Sequence, residues 1–350
     1  MARTASTDMP PDTPAPVPTP SPAPGPATVS TGHLPPSSRV QSLLDEAHQR
    51  YRPLDHGVVA DYIPALASAS PDLFGICVAD VDGHVLSTGD ADHEFSIQSV
   101  SKPFVFALVC QAIGPEAARE KLGVNSTGQP FDSVIAIELN AERTANPMVN
   151  AGAIAATSLV PGTTDDERWE RVRDGLSAFA GRPLALDDDV YASEAATNLR
   201  NRGIAHLLMG YGRLYGDPDA ATDLYTRQCS LRVTARDLAV MGATLADGGV
   251  NPATSRRVID AEHCPHVLAV LATAGLYEHS GEWLYDVGLP GKSGVSGGIV
   301  TTSPGKGGLG TFSPLLDAAG NSVRGQATTR FLSRALGLNL FASAPAAPLT

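Results

Sequence analysis

The sequence predicts an α+β fold in which strands from both ends of the chain share one antiparallel sheet. Strand patterns occur in residues 73–90 and again in residues 292–314, and helical periodicity fills the residues between them. Strands and helices therefore do not alternate as they would in a parallel βαβ fold. The hydrophobic fraction of 43% is enough to build a sizeable core.

The early elements are a helix, a hairpin and a second helix. Residues 38–51 (SRVQSLLDEAHQRY) carry apolar residues at a spacing near 3.6, which predicts a helix. Residues 73–90 predict two strands joined at Asp82 and Gly83, a common hairpin pair. Residues 103–114 (PFVFALVCQAIG) are almost entirely apolar, which indicates a buried helix.

Three helices are predicted in the middle of the chain. The first covers residues 166–181 and ends at Gly181. The second covers residues 193–216. The third covers residues 234–249, with Thr234 as its N-cap and a Gly-Gly pair as its stop signal.

The last elements are two strands around a glycine-rich turn in residues 292–314, followed by a helix over residues 322–336. The run SPGKGGLGTF carries glycines where a strand is expected to carry bulkier side chains. The pattern therefore predicts strands here but leaves their details open.

The chain divides into one domain with a tail at each end. Residues 1–38 are rich in proline, alanine, threonine and serine, and a segment of this composition cannot bury a core, so we predict disorder. A ligand for a polyproline-binding module is the alternative. Residues 39–340 are assigned to a single domain, and residues 341–350 to a second frayed tail.

Charge and hydropathy exclude several classes of partner. The net charge of −12 argues against nucleic acid and anionic membranes, because both require a basic face. No stretch approaches the ~20 apolar residues of a membrane helix. The N-terminus also lacks the apolar core of a signal peptide. We therefore expect a cytoplasmic protein with a small-molecule partner.

The four cysteines are far apart in the sequence and form no Cys-x-x-Cys pair; they are Cys77, Cys110, Cys229 and Cys264. A zinc site and a disulfide framework are both disfavoured by this spacing. We expect buried free thiols, as in a reducing compartment, and no metal site.

Ser99 and Lys102 form a Ser-x-x-Lys pair in the stretch FSIQSVSKPF. The chain has 25 lysines and arginines, of which only four are lysines. Lysine can lose its proton and arginine cannot. If a helix begins near Ser99, the pair lies on one face, one turn apart, and Pro103 suits a first helical turn. Burial would lower the pKa of the amine so that it could activate the serine. The alternative is an N-cap serine and a surface lysine.

A second lysine lies in GLPGKSGVSGG, as Lys292-Ser293-Gly294. A phosphate-binding Walker A loop would need glycine at position 286, where the chain has Asp286. Serine acyl-transfer enzymes with a Ser-x-x-Lys pair also use a downstream Lys-Ser/Thr-Gly strand. The alternative is a glycine-rich hairpin without catalytic function.

The chain resembles the serine-dependent glutaminases over roughly residues 40–340. The motifs that carry the resemblance are FSIQSVSKPF, NPMVNAGAI, SEAATNLRN, YTRQCS, LATAGLYEHSGEWLYDVGLPGKSGVSGGI and FSPLLDAAGNSVRG, in the order of the family. These enzymes share the fold of β-lactamases and DD-transpeptidases, so an antiparallel sheet flanked by helices, with a helical subdomain, is implied. YTRQCS stands where a β-lactamase has Ser-Asp-Asn, and Lys-Ser-Gly replaces Lys-Thr-Gly.

The resemblance implies hydrolysis of L-glutamine to L-glutamate and ammonia through a γ-glutamyl ester. Ser99 is implied as the nucleophile, Lys102 as its general base and Tyr277 as a group that moves the proton to the leaving ammonia. The backbone amides of Ser99 and Val295 would form the oxyanion hole. The substrate-binding set would comprise Tyr62, Ser99, Asn150, Glu194, Asn201, Tyr225, Tyr277 and Val295. No cofactor is implied, and a homodimer or homotetramer is expected.

The residue types of this set suit glutamine, which is a zwitterion with a primary amide. Glu194 can bind the ammonium group, and asparagine and tyrosine can donate to the carboxylate. Glu194, Asn198 and Asn201 are spaced so that one helix would present all three on one face. Taken alone, this stripe would more often be a solvated polar face.

The roles of three residues, Asn150, Tyr277 and Lys292, rest mainly on the resemblance. Taken alone, Asn150 could equally serve a turn and Tyr277 the core. We also expect Lys292 to lie near Lys102 and to lower its pKa as a second cation.

Two rival functions remain open at this point. A penicillin-recognising esterase or peptidase would use the same pair, although such enzymes normally act outside the cytoplasm. A sensor that binds ligand without turnover would use the same pocket, although it would not need a nucleophile with its base.

Overall fold

The computed structural model describes residues 32–342. Most of the two predicted tails, residues 1–38 and 341–350, lies outside the described residues. The first helix begins at Ser37, at the end of the segment assigned to the N-terminal tail.

The α-helices of the described part of the chain are α1 (Ser37–Tyr51), α2 (Lys102–Ile113), α3 (Pro115–Leu122), α4 (Ile135–Leu139), α5 (Asn150–Ser158), α6 (Asp165–Ala180), α7 (Asp188–Thr197), α8 (Leu199–Gly210), α9 (Pro218–Cys229), α10 (Ala235–Ala246), α11 (Cys264–Ala274), α12 (Ser280–Val287) and α13 (Val323–Ala335). Short 3₁₀ turns occur at Pro64–Ser68, Gln98–Ser101, Ala261–His263 and Tyr277–His279.

The strands are β1 (Gly75–Asp80), β2 (Val85–Gly89), β3 (Phe95–Ser96), β4 (Arg232–Val233), β5 (Val250–Asn251), β6 (Arg256–Arg257), β7 (Gly291–Ser293), β8 (Gly298–Ser303) and β9 (Gly307–Phe312). The main sheet has the order β2-β1-β9-β8-β7, and every neighbouring pair in it is antiparallel. Strand β1 pairs directly with β9, so both ends of the chain share one sheet. The predicted α+β arrangement is confirmed.

Two apolar cores lie on opposite faces of the sheet. One joins the outer face to α1, α12 and α13, with Leu44, Ile76 and Leu309 among its buried members. The other joins the inner face to α10 and to the helical middle of the chain, with Phe104 and Phe179 among its members. The helical layer therefore packs on one face of the sheet, and the ends of the chain pack on the other.

Glycines in β9 allow α10 to pack against the backbone of the sheet. A Cβ at Gly310 would lie 2.0 Å from the Ala235 carbonyl oxygen, and one at Gly308 would lie 2.2 Å from that of Ala239. Both contacts are with backbone atoms, which cannot move aside as a flexible side chain would. The glycine-rich run is therefore explained by the close approach of the helix.

Several local predictions are confirmed. Asp82 and Gly83 lie in the turn between β1 and β2, and α6 ends at Gly181, which is left-handed with φ +78°. Thr234 caps α10 in a capping box with Asp237. All four cysteines are buried and unpaired. In residues 32–342, no helix is both long enough and apolar enough to cross a bilayer.

Two element predictions are wrong in detail. Residues 193–216 form parts of two helices, α7 and α8, because Asn198 (φ −84°, ψ 23°) leaves the helical conformation between them. Its side chain donates to Thr226 Oγ1 at 3.2 Å and accepts from Arg202 Nε at 3.0 Å. Residues 292–314 lie in three strands, because Lys292 and Ser293 form the end of the separate strand β7.

Candidate active site

Ser99 lies in a buried 3₁₀ turn that leads directly into α2. The turn covers Gln98–Ser101, and Lys102 is the first residue of the helix. Gln98, just before the serine, has a φ of +50°, which is unusual for a residue with a side chain. The expected helical start after Ser99 is present, although its first turn is 3₁₀.

A chain of buried hydrogen bonds holds this turn against the helical layer. The Ser101 hydroxyl donates to the Gln98 carbonyl oxygen at 2.7 Å. Gln228 Nε2 donates to Ser101 Oγ at 3.2 Å, and Thr157 Oγ1 donates to Gln228 Oε1 at 3.0 Å. Sequence reasoning missed these positioning residues. The only available clue was the position of Gln228 within the YTRQCS motif.

Lys102 is a fully buried amine one helical turn after Ser99. Only 1% of its surface is exposed, and Nζ donates to Asn150 Oδ1 at 2.7 Å. Burial lowers the pKa of Lys102 to about 8, against smaller opposing effects of Cys229, Glu194 and Asp132. About a tenth of the amine is therefore neutral at pH 7, and about half at pH 8, and only this neutral form can accept a proton.

Asn150 joins four elements around Lys102. It is the first residue of α5, and its Oδ1 accepts from Tyr225 in α9 at 3.2 Å as well as from Lys102. Its Nδ2 donates to Asn201 of α8 at 3.0 Å. Three of the predicted substrate-binding residues are thus in mutual contact, next to the predicted base.

Tyr277 lies on the opposite side of the site, in a 3₁₀ turn, with a φ of +56°. Its hydroxyl donates to the Ser293 carbonyl oxygen at 3.2 Å. Burial raises the pKa of Tyr277 to about 12, although hydrogen bonds to Ser293 and Ser99 partly oppose the shift. The phenol therefore remains protonated and able to donate.

Lys292 lies beneath Tyr277, as a second fully buried lysine. Its Nζ donates to the Ser293 carbonyl oxygen at 2.8 Å and lies 4.1 Å from the centroid of the Tyr277 ring. Burial, and then the charge of Lys102, lower the pKa of Lys292 well below its ordinary value. The two lysines therefore interact, and the repulsion between their like charges is mutual. The role of Lys292 as a supporting cation stays a prediction.

Glu194 in α7 is a buried carboxyl group with few partners. Its exposed fraction is 7%, and Gln98 Nε2 approaches Oε2 at 3.4 Å. Burial raises the pKa of Glu194 to about 7, and the hydrogen bond from Gln98 and the charge of Lys102 only partly oppose this shift. A buried carboxylate with a single weak donor is well suited to bind a cation.

Glu194 and Asn201 both reach the site, but Asn198 between them does not. Glu194 is linked to the nucleophile turn through Gln98, and Asn201 is linked to Lys102 through Asn150. Asn198 is directed instead to Thr226 and Arg202. The predicted single-helix stripe is thus corrected to two residues from successive helices.

Val295 lies in the turn between β7 and β8, beside the nucleophile turn. The two turns approach closely, since a Cβ at Gly294 would lie 3.1 Å from the Ile97 carbonyl oxygen. Among the residues described, no backbone carbonyl accepts the amide of Ser99 or of Val295. The amides of Ser99 and Val295 lie on adjacent turns, and neither N–H group is used by a backbone carbonyl in residues 32–342.

Tyr62 stands at the rim of the site. It is exposed over 54% of its surface. Its neighbours Ala60 and Ile63 belong to one apolar cluster with Val190 of α7 and with Val295. The segment that carries Tyr62 is thus fixed next to the two amides and to the helix of Glu194.

Within residues 32–342, no group of three or more histidine, cysteine, aspartate or glutamate side chains is arranged to hold a metal ion. The chemistry available in the site is a buried serine, two buried lysines, a protonated tyrosine and one buried carboxyl group.

Comparison with known proteins gives consistent results. The Glutaminase family model matches residues 57–341. Glutaminase 2 of Yersinia pestis is 65% identical over 317 residues, which cover 91% of this chain and 93% of the relative.

Two solved structures have a similar fold. That of the probable glutaminase ybaS has a TM-score of 0.87 at 46% identity and covers 88% of this chain and 99% of its own. The crystal structure of Mglu in its glutamate form has a TM-score of 0.83 at 39% identity and covers 87% of this chain and 71% of its own.

Proposed function

The chain belongs to the glutaminase family, and we propose that it hydrolyses L-glutamine through a γ-glutamyl ester on Ser99. It is an enzyme of the α+β fold that glutaminases share with β-lactamases. The observation that carries the proposed mechanism is the complete burial of Lys102, one helical turn after Ser99, with its pKa lowered to about 8.

The reaction begins with proton transfer from Ser99 to the neutral amine of Lys102. The serine oxygen attacks the γ-amide carbon of glutamine, the C–N bond breaks, and a γ-glutamyl ester remains on Ser99. Ammonia leaves with a proton returned by Tyr277 or Lys102. Water then hydrolyses the ester, so that glutamine and water give glutamate and ammonia.

The tetrahedral oxygen is stabilised by the amides of Ser99 and Val295. An oxyanion hole requires donors that are already oriented and not otherwise bonded. The lack of a backbone carbonyl partner for either amide supports this role. The hydrogen bonds that run from Thr157 through Gln228 to Ser101 hold the turn that carries Ser99. They thereby keep the Ser99 amide in position.

Substrate recognition uses the buried carboxylate and the amide cluster. Glu194 binds the ammonium group of glutamine, because a carboxylate with a single weak donor gains most from a charged partner. Asn201 and Tyr225 both bond to Asn150 beside Lys102. These three residues, together with Tyr62, bind the α-carboxylate. The crystal structure of Mglu in its glutamate form is in keeping with a pocket of this kind.

The covalent intermediate is tested by rapid acid quench and peptide mass spectrometry. We expect the peptide that carries residues 95–104 to gain one γ-glutamyl group during turnover of L-glutamine. The same peptide from Ser101→Ala, which retains Ser99, should also be labelled. Turnover without any adduct on this peptide, at quench times shorter than one catalytic cycle, would contradict the mechanism.

The value of kcat/KM should depend on two titrating groups, and protonation of either group should lower it. Below pH about 7, Glu194 becomes protonated and loses its attraction for the ammonium group; below about 8, Lys102 is protonated and cannot accept the serine proton. We expect log(kcat/KM) to rise with pH with a slope of about 2 at low pH and to level off above both values.

The variant Glu194→Gln distinguishes the contribution of Glu194 to the pH dependence from that of Lys102. It cannot titrate, so the slope should fall to about 1, the contribution of Lys102 alone. A slope of about 1 in the unmodified enzyme, or an unchanged slope in the variant, would contradict the assignment. Initial rates of ammonia release over a series of buffers at constant ionic strength provide the measurement.

We further propose that residues 39–340 act as one catalytic unit in the cytoplasm, as a homodimer or homotetramer. Four buried free thiols support a reducing compartment. Exposed apolar side chains on α4 and α8, namely Ile135, Leu139 and Leu199, support association between copies. Family membership over most of the chain favours this enzyme over a penicillin-recognising enzyme or a sensor.

A further inference from the structure

A second pocket, separate from the Ser99 site, has four arginines in its lining. It is a groove of about 580 Å³ between the C-terminal end of α6, the segment that follows it and the β5–β6 hairpin. Its arginines are Arg173, Arg182, Arg256 and Arg257, and its only acidic lining residue is Asp174. None of these residues belongs to the Ser99 site.

The four arginines differ in how far their charge is already neutralised. Arg182 binds Asp237 at 2.7 Å, and Arg173 binds Asp174 at 3.1 Å. Arg256 and Arg257 form no ion pair and donate no side-chain hydrogen bond within the described part of the chain. Each guanidinium carries five N–H donors. The groove therefore holds two adjacent cations whose donors are free to bind a ligand.

This concentration of positive charge is unusual in a chain with a net charge of −12. At physiological ionic strength charges are screened over about 8 Å, so only local charges count. Three carboxylates pair with Arg173 and Arg182, namely Asp174, Asp237 and Glu94, and the remaining positive charge is that of Arg256 and Arg257. Arginine binds phosphate and carboxylate groups through two parallel hydrogen bonds. The volume of the groove is typical of a small-molecule site.

We propose that this arginine groove is a binding site for a compact anion with two or more phosphate or carboxylate groups. Arg256 and Arg257 supply the charge that is not otherwise paired. Arg182 and Arg173, held by their aspartates, form the opposite wall. A monovalent anion would engage only one guanidinium, so we expect it to bind more weakly than a multiply charged one.

The test is isothermal titration calorimetry of the full-length protein at constant ionic strength. Sodium pyrophosphate and sodium citrate are titrated in separate experiments, and the Kd of each is measured. We expect saturable binding of at least one of the two. Preference for pyrophosphate would identify a phosphate-bearing ligand, and preference for citrate a polycarboxylate.

The double variant Arg256→Gln/Arg257→Gln should weaken binding by about tenfold or more, because both free guanidiniums are lost. The matched control is Arg39→Gln/Arg334→Gln, which removes two exposed arginines on α1 and α13 with the same change in net charge. It should change the Kd by less than about twofold. Ammonia release by both double variants should be unchanged, which shows that each is folded.

Two outcomes would overturn the proposal. One is that neither anion saturates the unmodified protein. The other is that both double variants weaken binding equally, which would show that the net charge and not the groove attracts the anion. Binding is measured without turnover, so these outcomes are independent of the mechanism at Ser99.

Discussion

The variant Ser99→Ala is expected to abolish ammonia release from L-glutamine while leaving glutamine binding largely intact. Without the hydroxyl no ester can form, and loss of the nucleophile in serine hydrolases lowers kcat by about 10⁴-fold or more. The groups proposed to hold the substrate include Glu194, Asn150 and Asn201. Glu194 bonds to Gln98, and Asn150 bonds to Asn201, so these contacts do not involve the Ser99 hydroxyl. The fold should persist, because the change removes a single small polar group.

The measurement pairs ammonia release with titration of glutamine into the inactive variant. Ser101→Ala is the matched control, since it makes the same chemical change two residues later. It removes a bond to the Gln98 carbonyl and not the nucleophile, so it should retain turnover reduced by about tenfold. If Ser99→Ala released ammonia at the normal rate, the nucleophile would have to be another group.

The variant Lys102→Met is expected to lower kcat by about 10³-fold, the typical contribution of a positioned general base. Methionine matches the apolar stem of lysine, and the site is fully buried, so removal of the amine should not destabilise the fold. Asn150 Oδ1 would still accept from Tyr225. Ammonia release and thermal unfolding of the variant provide the two readouts.

Two further lysine variants test which amine is the base. Lys121→Met changes a lysine outside the site and should leave kcat unchanged. Lys292→Met removes the amine beneath Tyr277 and should lower kcat less than Lys102→Met does, because Asn150 links Lys102 and not Lys292 to the substrate cluster. A larger loss in Lys292→Met than in Lys102→Met would transfer the role of base to Lys292.

Local patterns predicted the elements whose causes are local. The spacing of apolar residues predicted α1 and the hairpin of β1 and β2. Gly181 and Thr234 marked helix ends, because the backbone of the glycine and the side chain of the threonine form those ends themselves. The same holds for Ser99 and Lys102, since residues three apart at a helix start share a face whatever surrounds them.

Features that depend on distant residues were not predictable in this way. The break between α7 and α8 accompanies contacts of Asn198 with Thr226 and Arg202, and β7 is a separate strand only because β8 pairs with it. The bond from Gln228 to Ser101 joins residues that are 127 positions apart. No window of sequence contains both partners of such a contact.

By itself, the sequence determined which groups are available for chemistry: a Ser-x-x-Lys pair, a second rare lysine at Lys292, and the polar residues that suit a zwitterionic amide. The tertiary structure decided their protonation and their neighbours. Burial lowers the pKa of Lys102 and of Lys292, and it raises the pKa of Glu194. A pKa depends on the solvent and charges that the whole fold places around a group, and these are set by contacts between distant parts of the chain.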